Sequence, residues 1–319
     1  MSTSSTVNDN DHPAIFATQL TKRFGDDVAI SDVSFTLPQG KIMALIGPSG
    51  CGKTTTVRLT LGIYKPTSGD VQLMGHRPYE FLPKDRQKMG YMPQLFVLYP
   101  QLTVWENLNF AASMYGLPLK NRKQTLMHVL EFVDLQAHTH KLARNISGGM
   151  QRRLSLAATL VHQPQYVFLD EPTAGIDPVL RKRFWDHFVT LRDKGHTLLV
   201  TTQYVGEAAY CDLVGVMAKG KMLMVEPPEK LRKNAYGGEI INFVAKQTLL
   251  PSYLQTLQAL PFVRKPIQSL SANQIKIIVE EASTAMPAIT HWCADNGIGV
   301  EAIEEIVPPF DDVFVEIVK

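Results

Sequence analysis

The sequence predicts an α/β fold: a parallel sheet with an antiparallel β subdomain and a helical subdomain attached, followed by a small α+β domain. Three observations predict it. Runs that are apolar almost throughout, "KIMALIG" at 41–47, "QYVFLDEP" at 165–172 and "HTLLVTTQ" at 196–203, read as strands of a sheet covered on both faces. Helical patterns, with apolar residues three and four apart, alternate with them, as a parallel sheet requires. Near Glu226 the composition shifts to prolines, charges and a Gly-Gly pair, which marks a boundary between domains.

Taken in order, residues 1–13, "MSTSSTVNDNDHP", are polar and acidic, with neither a basic start nor an apolar stretch. They read as a disordered tail and not as a signal peptide. From Ala14 to about Gln39 apolar and polar residues alternate in "IFATQLTKRF" and "VAISDVSFTLPQG". That pattern predicts antiparallel strands, with turns at Gly25-Asp26 and Pro38-Gln39-Gly40. The strand at 41–47 runs straight into a glycine-rich turn and a helix, "GPSGCGKTTTVRLTLGIY". Between about residues 95 and 150 the pattern is helical, in "TVWENLNFAASMYGL" and "RKQTLMHVLEFVDLQ", with Thr103 and Glu106 placed as a capping box. A further helix, "MQRRLSLAATLVHQ", leads to the strand at 165–172, and a helix over 179–193 leads to the strand at 196–203.

The first domain is therefore expected to span 14–227, with a linker at 228–239. Residues 240–319 then alternate short strands and helices in the order β-α-β-α-β-α, a small α+β domain. Its last helix, in "PPFDDVFVEIVK", is expected to start at Asp311-Asp312 and to turn Val313, Phe314 and Ile317 toward the core.

A chain of 319 residues accommodates one large and one smaller domain. Its net charge of +2 supplies no basic field, so nucleic acid is not an expected partner. Cys51, Cys211 and Cys293 are too scattered for a disulfide framework or a zinc site, which fits a reducing compartment. No window approaches the roughly 18–20 consecutive apolar residues of a membrane helix. Any role at a membrane is expected to run through a partner.

Gly47, Pro48, Ser49, Gly50, Cys51, Gly52, Lys53 and Thr54 fit G-x-x-x-x-G-K-[ST] without deviation. The glycines let successive backbone N–H groups turn inward around phosphate oxygens, and the following helix adds the positive end of its dipole. Lys53 supplies a point charge for the β- and γ-phosphates, the Thr54 hydroxyl a ligand for Mg²⁺, and Thr55 extends the cradle into the helix. The pattern is the one expected of a P-loop NTPase. Its second half is expected to be a carboxylate at the end of a neighbouring strand. "YVFLDEP" provides one: Asp170 to hold Mg²⁺ through water, and Glu171 to polarise an attacking water.

The segment "NISGGMQRRLSLAATLVHQPQYVFLDEPTAGIDP" resembles the nucleotide-binding subunit of ABC transporters, and the resemblance covers about residues 14–227. It implies a RecA-like core. It also implies that Ser147, Gly148 and Gly149, at the start of a helix, close onto ATP held by a second ATP-binding subunit, in a head-to-tail sandwich of two MgATP. Asp177 matches the D-loop. Phe24, in "TKRFG", matches the aromatic that stacks on adenine. Gln94, in "YMPQ", matches the glutamine that touches Mg²⁺ and the attacking water and joins the core to the helical segment facing the membrane subunit.

Two positions depart from the family pattern. Gln203 in "TTQY" stands where the family has a histidine that contacts the γ-phosphate. A glutamine donates a hydrogen bond but carries neither proton nor charge. Met150 stands where the "SGG" element usually continues with glutamine. The resemblance is to exporters of drugs, polysaccharides and lipids whose ATPase is separate from the membrane subunit. It implies ATP hydrolysis on the cytoplasmic face of the cell membrane, an integral permease as partner, and a second ATP-binding subunit; a complete set of motifs in one chain allows that subunit to be a second copy. Two alternatives stay open: a regulatory subunit whose hydrolysis Gln203 impairs, and a soluble ABC ATPase with no transport role.

Overall fold

The computed structural model describes residues 13–318, so the expected tail lies, apart from Pro13, outside the described residues. Two compact units divide the chain, one ending at Val225 and the next beginning at Glu226. Among the described residues no helix is long and apolar enough to cross a membrane.

In the first unit, β1 (Ile15–Phe24) and β2 (Asp27–Leu37) pair antiparallel across the Gly25-Asp26 turn. After β3 (Ile42–Ile46) and α1 (Lys53–Thr60), β4 (Ser68–Leu73) adds to the other side of β1, giving the order β2-β1-β4. Along β2, Val33, Phe35 and Leu37 are buried while Ser34 and Thr36 are exposed, the period of a sheet with one face on a core. That face packs with Val57 and Leu59 of α1.

The second sheet has six strands in the order β5-β6-β7-β3-β8-β9. Its remaining members are β5 (Met89–Met92), β6 (Tyr166–Asp170), β7 (Thr197–Thr202), β8 (Leu213–Ala218) and β9 (Lys221–Glu226). Every residue of β3, β6 and β7 is buried, which is why these strands read as continuous apolar runs. The strands from β5 to β8 are parallel. The carboxyl ends of β3, β5, β6 and β7 therefore emerge on one edge, where open α/β sheets bind ligands. Register fixes the meeting: Ile46 lies opposite Thr202, and Asp170 opposite Thr201.

The helices of this unit are the short α2 (Pro83–Arg86), then α3 (Val104–Met114), α4 (Leu119–Phe132), α5 (Gly148–Leu160) and α6 (Pro178–Asp193). The capping box opens α3: Glu106 N–H donates to Thr103 Oγ1 at 3.1 Å and Thr103 N–H to Glu106 Oε2 at 2.8 Å. The helical pattern expected from residue 95 does not begin until this cap. Residues 95–102 are irregular because Asn107, only 1% exposed, takes over their backbone groups. Its side chain accepts from Tyr99 N–H and donates to the carbonyls of Tyr99, Leu102 and Thr103, all within 3.2 Å.

In the second unit the residues expected as a linker fold into α7 (Pro228–Tyr236). The composition that reads as a linker is also that of a helix with strong ends. Pro228 presets φ in the first turn, Glu229 faces the N-terminal dipole, and Gly237 terminates the helix at φ 76°. Leu231, 1% exposed, anchors it. There follow β10 (Glu239–Ala245), α8 (Pro251–Gln258), β11 (Gln268–Ser269), β12 (Gln274–Val279), α9 (Ala282–Asp295), β13 (Val300–Ile306) and α10 (Phe310–Val318). The strands form an antiparallel sheet, β11-β12-β10-β13, with a core of Ile241, Phe243, Ile275, Ile277 and Ile289. On α10 Val313 is buried, whereas Phe314 and Ile317 are only half-buried. The anchor is Phe310, whose ring lies 3.9 Å from the Arg232 guanidinium of α7.

Candidate active site

The loop between β3 and α1 holds its shape because two positions admit only glycine. At Gly52, φ is 102° and a Cβ would lie 2.4 Å from Ile30 Cγ2; at Gly47, φ is 157° and a Cβ would lie 2.2 Å from Met217 O. Pro48, Ser49 and Gly50 form the exposed crest, Cys51 turns inward, and Thr54 and Thr55 are half-buried on the first turn of α1. That turn carries no acidic side chain, so the positive end of the helix is left for an anion. Lys53, 5% exposed, curls back over the loop, its Nζ donating to Gly47 O at 2.7 Å and Pro48 O at 3.1 Å.

At the end of β6, Asp170 is fully buried. Its Oδ1 accepts from Thr201 Oγ1 at 2.5 Å and from Thr54 Oγ1 at 3.0 Å, while its buried Oδ2 has no partner among the described residues. A buried carboxylate oxygen left unpaired is costly. The unpaired oxygen beside the Thr54 hydroxyl gives a set of hard oxygen donors that fits a divalent cation such as Mg²⁺.

Glu171 follows with φ 53°, a left-handed conformation that β-carbon-bearing residues seldom adopt. Its N–H is held by both Thr201 O and Thr201 Oγ1 at 3.0 Å. The turn leaves the side chain beside Gln94, whose Nε2 donates to Glu171 Oε2 at 3.1 Å. Strands β5 and β6 are neighbours, so Gln94 and Glu171 leave the sheet side by side.

Three residues at this site carry no sequence signal that singles them out. Thr201 binds both Asp170 and Glu171. Arg152, on α5, donates to the backbone carbonyls of Gln94, Asp170 and Glu171. Burial pulls its basicity down, against the opposing pull of the Glu171 and Asp170 charges. Glu207, 4% exposed, accepts from Thr173 Oγ1 at 2.7 Å and Thr202 Oγ1 at 2.6 Å, with Arg181 Nε 3.6 Å away. An acidic residue inside "YVGEA" reads as surface helix, and only the fold reveals its burial.

The remaining sequence-identified residues make no hydrogen bond to the loop between β3 and α1 among the described residues. Ser147 caps α5, its Oγ accepting from Met150 N–H at 3.3 Å, and with Gly148 it is exposed. Gly149 faces the loop before α6: a Cβ there would lie 3.4 Å from Gly175 O. In that loop Asp177 caps α6 by accepting from Leu180 N–H at 3.0 Å. Phe24, 46% exposed, meets Tyr64 edge to face with centroids 5.2 Å apart, and Lys22 Nζ stands 5.1 Å from its ring. Gln203, just past β7, is exposed and its side chain makes no hydrogen bond to any described residue.

The model of the ABC transporter family matches residues 30–174, a span that includes the loop after β3, Gln94, Ser147 and both carboxylates. A probable multidrug ABC transporter ATP-binding protein of Escherichia coli (strain K12) is 39% identical over 225 residues, 70% of this chain. Nod factor export ATP-binding protein I of Ralstonia nicotianae is 33% identical over 253 residues, covering 77% of this chain and 79% of that protein. The chain belongs to the ABC transporter ATP-binding family. A solved ATP binding subunit of an ABC transporter superposes on this chain with a TM-score of 0.65 at 26% identity, over 70% of this chain and 93% of that one. The match spans 39% of the length of the Escherichia coli relative.

Proposed function

We propose that this chain is the ATP-hydrolysing subunit of an ABC exporter. It closes head to tail with a second copy around two MgATP and, on the cytoplasmic face of the membrane, drives a separate integral permease. The convergence of Thr54 and Asp170, with Asp170 Oδ2 buried and unpaired and Glu171 held beside them, carries this reading. Relatives named for multidrug transport and Nod factor export support its direction.

In this reading Gly47 to Thr55 cradle the phosphates, Lys53 places its charge against the β- and γ-oxygens, and Phe24 stacks on adenine. Thr54, Asp170 and Gln94 are the residues that would hold Mg²⁺, which neutralises phosphate charge when bound. Glu171 accepts the proton of a water positioned for in-line attack, and Gln94 orients both. Ser147, Gly148 and Gly149 present a hydroxyl and helix N–H groups to the nucleotide of the opposing subunit, with Asp177 at the seam.

Gln203 motivates a second reading. No hydrogen bond from a described residue fixes its exposed amide, and it supplies no charge at the γ-phosphate, so hydrolysis is slowed while binding and closure persist. Removing a positioned donor of this kind lowers turnover by about a hundredfold; under this reading Gln203→His raises turnover toward that extent, and under the first it changes little. The head-to-tail arrangement is tested with Glu171→Gln, which retains binding and blocks proton transfer. Light scattering in saturating MgATP is expected to give twice the monomer mass. Monomers that nevertheless bind a fluorescent ATP analogue contradict the arrangement.

A further inference from the structure

The guanidinium of Arg152 joins three segments that the sequence keeps far apart. Nη1 donates to Gln94 O, and Nη2 donates to Asp170 O at 2.6 Å and to Glu171 O. The partners are all main-chain carbonyls, so the contact sets backbone position and leaves the side chains of Gln94 and Glu171 free for chemistry. The same residue belongs to α5, the helix capped by Ser147. It lies four residues beyond Gly148, about 6 Å along the axis. A planar fork with fixed donor directions transmits a displacement of that helix to its acceptors better than a single ammonium does.

We propose that Arg152 is a positioning residue that makes hydrolysis at one site depend on nucleotide at the other. This rests on the head-to-tail reading above. There, the first turn of α5 grips the ATP of the opposing subunit, and Arg152 carries the resulting seat of α5 to the carbonyls of Gln94 and Glu171 in its own subunit. Occupancy of one site thereby sets the distance between the Gln94 amide and the Glu171 carboxylate at the other. Both Nη groups of Arg152 are taken by main-chain carbonyls, and Lys53 has its own partners in Gly47 and Pro48.

The test uses the full chain and compares the wild type with Arg152→Met, which keeps bulk without donors, and Arg152→Lys, which keeps charge without the fork. Three quantities are read: the Hill coefficient of MgATP hydrolysis, kcat, and the affinity of the monomer for a fluorescent ATP analogue. The expected result is a Hill coefficient falling from near 2 to near 1 in Arg152→Met, with kcat reduced at least tenfold and monomer affinity within twofold of wild type. Arg152→Lys is expected to regain part of kcat but not the cooperativity. A purely structural residue lowers the melting temperature and the fraction of active protein without changing the Hill coefficient. An unchanged Hill coefficient in Arg152→Met, or in Arg152→Lys where the methionine variant does not fold, overturns the proposal. Failure of Glu171→Gln to dimerise in MgATP overturns the head-to-tail reading and the proposal together; dimerisation with unchanged cooperativity in the Arg152 variants overturns the proposal alone.

Discussion

Asp170→Asn separates the two demands placed on that side chain. Asp170 Oδ1 accepts from Thr54 and Thr201, and Oδ2 is buried with no partner among the described residues. An asparagine oxygen keeps both hydroxyl bonds, and neutralising the buried charge removes part of its desolvation cost. The folded protein should therefore melt within a few degrees of wild type. The loss appears only when a cation is needed. Wild type at MgATP one hundred times Kd gains about 2.7 kcal/mol, and each kcal/mol raises the melting temperature of a chain this size by roughly 2–4 °C. A carboxylate acting on the metal through water contributes about 10–100-fold in metal affinity, so its removal erases about 1.3–2.3 kcal/mol, half or more of that increment. Thermal unfolding with ATP, in Mg²⁺ and then in EDTA, isolates the metal-dependent part. An increment in Asp170→Asn equal to that of wild type would falsify the assignment of Asp170 to the cation site.

Phe24→Ala should weaken ATP binding by about 1–3 kcal/mol if its exposed ring stacks on the base, measured by titration with a fluorescent analogue; GTP and ATP losing affinity equally would be consistent, and no loss for either contradicts the role. Burial holds the His187 imidazole down to about pKa 4, with Lys194, His128 and His196 pushing the same way. The unfolded chain takes up that proton below about pH 6.5 and the folded chain does not, so stability is full above pH 6.5 and declines toward pH 4. The decline, discounted for the ring's partial exposure, is about 1–2 kcal/mol; His187→Phe, which keeps the stacking on Phe132, should flatten this part of the denaturant-midpoint profile. Glu207→Ala removes the acceptor of the Thr173 and Thr202 hydroxyls and the carboxylate facing Arg181, and should cost about 3 kcal/mol, seen as a drop of several degrees in melting temperature.

The parallel core was legible because β3, β6 and β7 are buried on both faces, which favours apolar residues at most positions and leaves no competing alternation. The cradle was legible for a different reason: backbone geometry at Gly47 and Gly52 excludes every other residue type, so the requirement is written in the sequence. What could not be read depends on contacts between distant segments. Asn107 looks like an ordinary helix residue until its amide is seen holding the backbone of Tyr99 and Leu102. Residues 228–236 have the prolines and charges of a linker, and the same residues supply the ends of α7. Glu207 and Arg152 are charged residues on helical segments, a pattern normally solvated. The contact of buried Glu207 with Thr173, and of half-buried Arg152 with the carbonyl of Asp170, is a property of the tertiary fold alone.

The most direct test of the account is steady-state MgATP hydrolysis by the purified chain beside Glu171→Gln. The account predicts measurable turnover in wild type and a loss of at least a hundredfold in Glu171→Gln, with ATP affinity retained. Equal turnover in the two proteins would contradict it, because the carboxylate that Gln94 orients would then take no part in the chemistry.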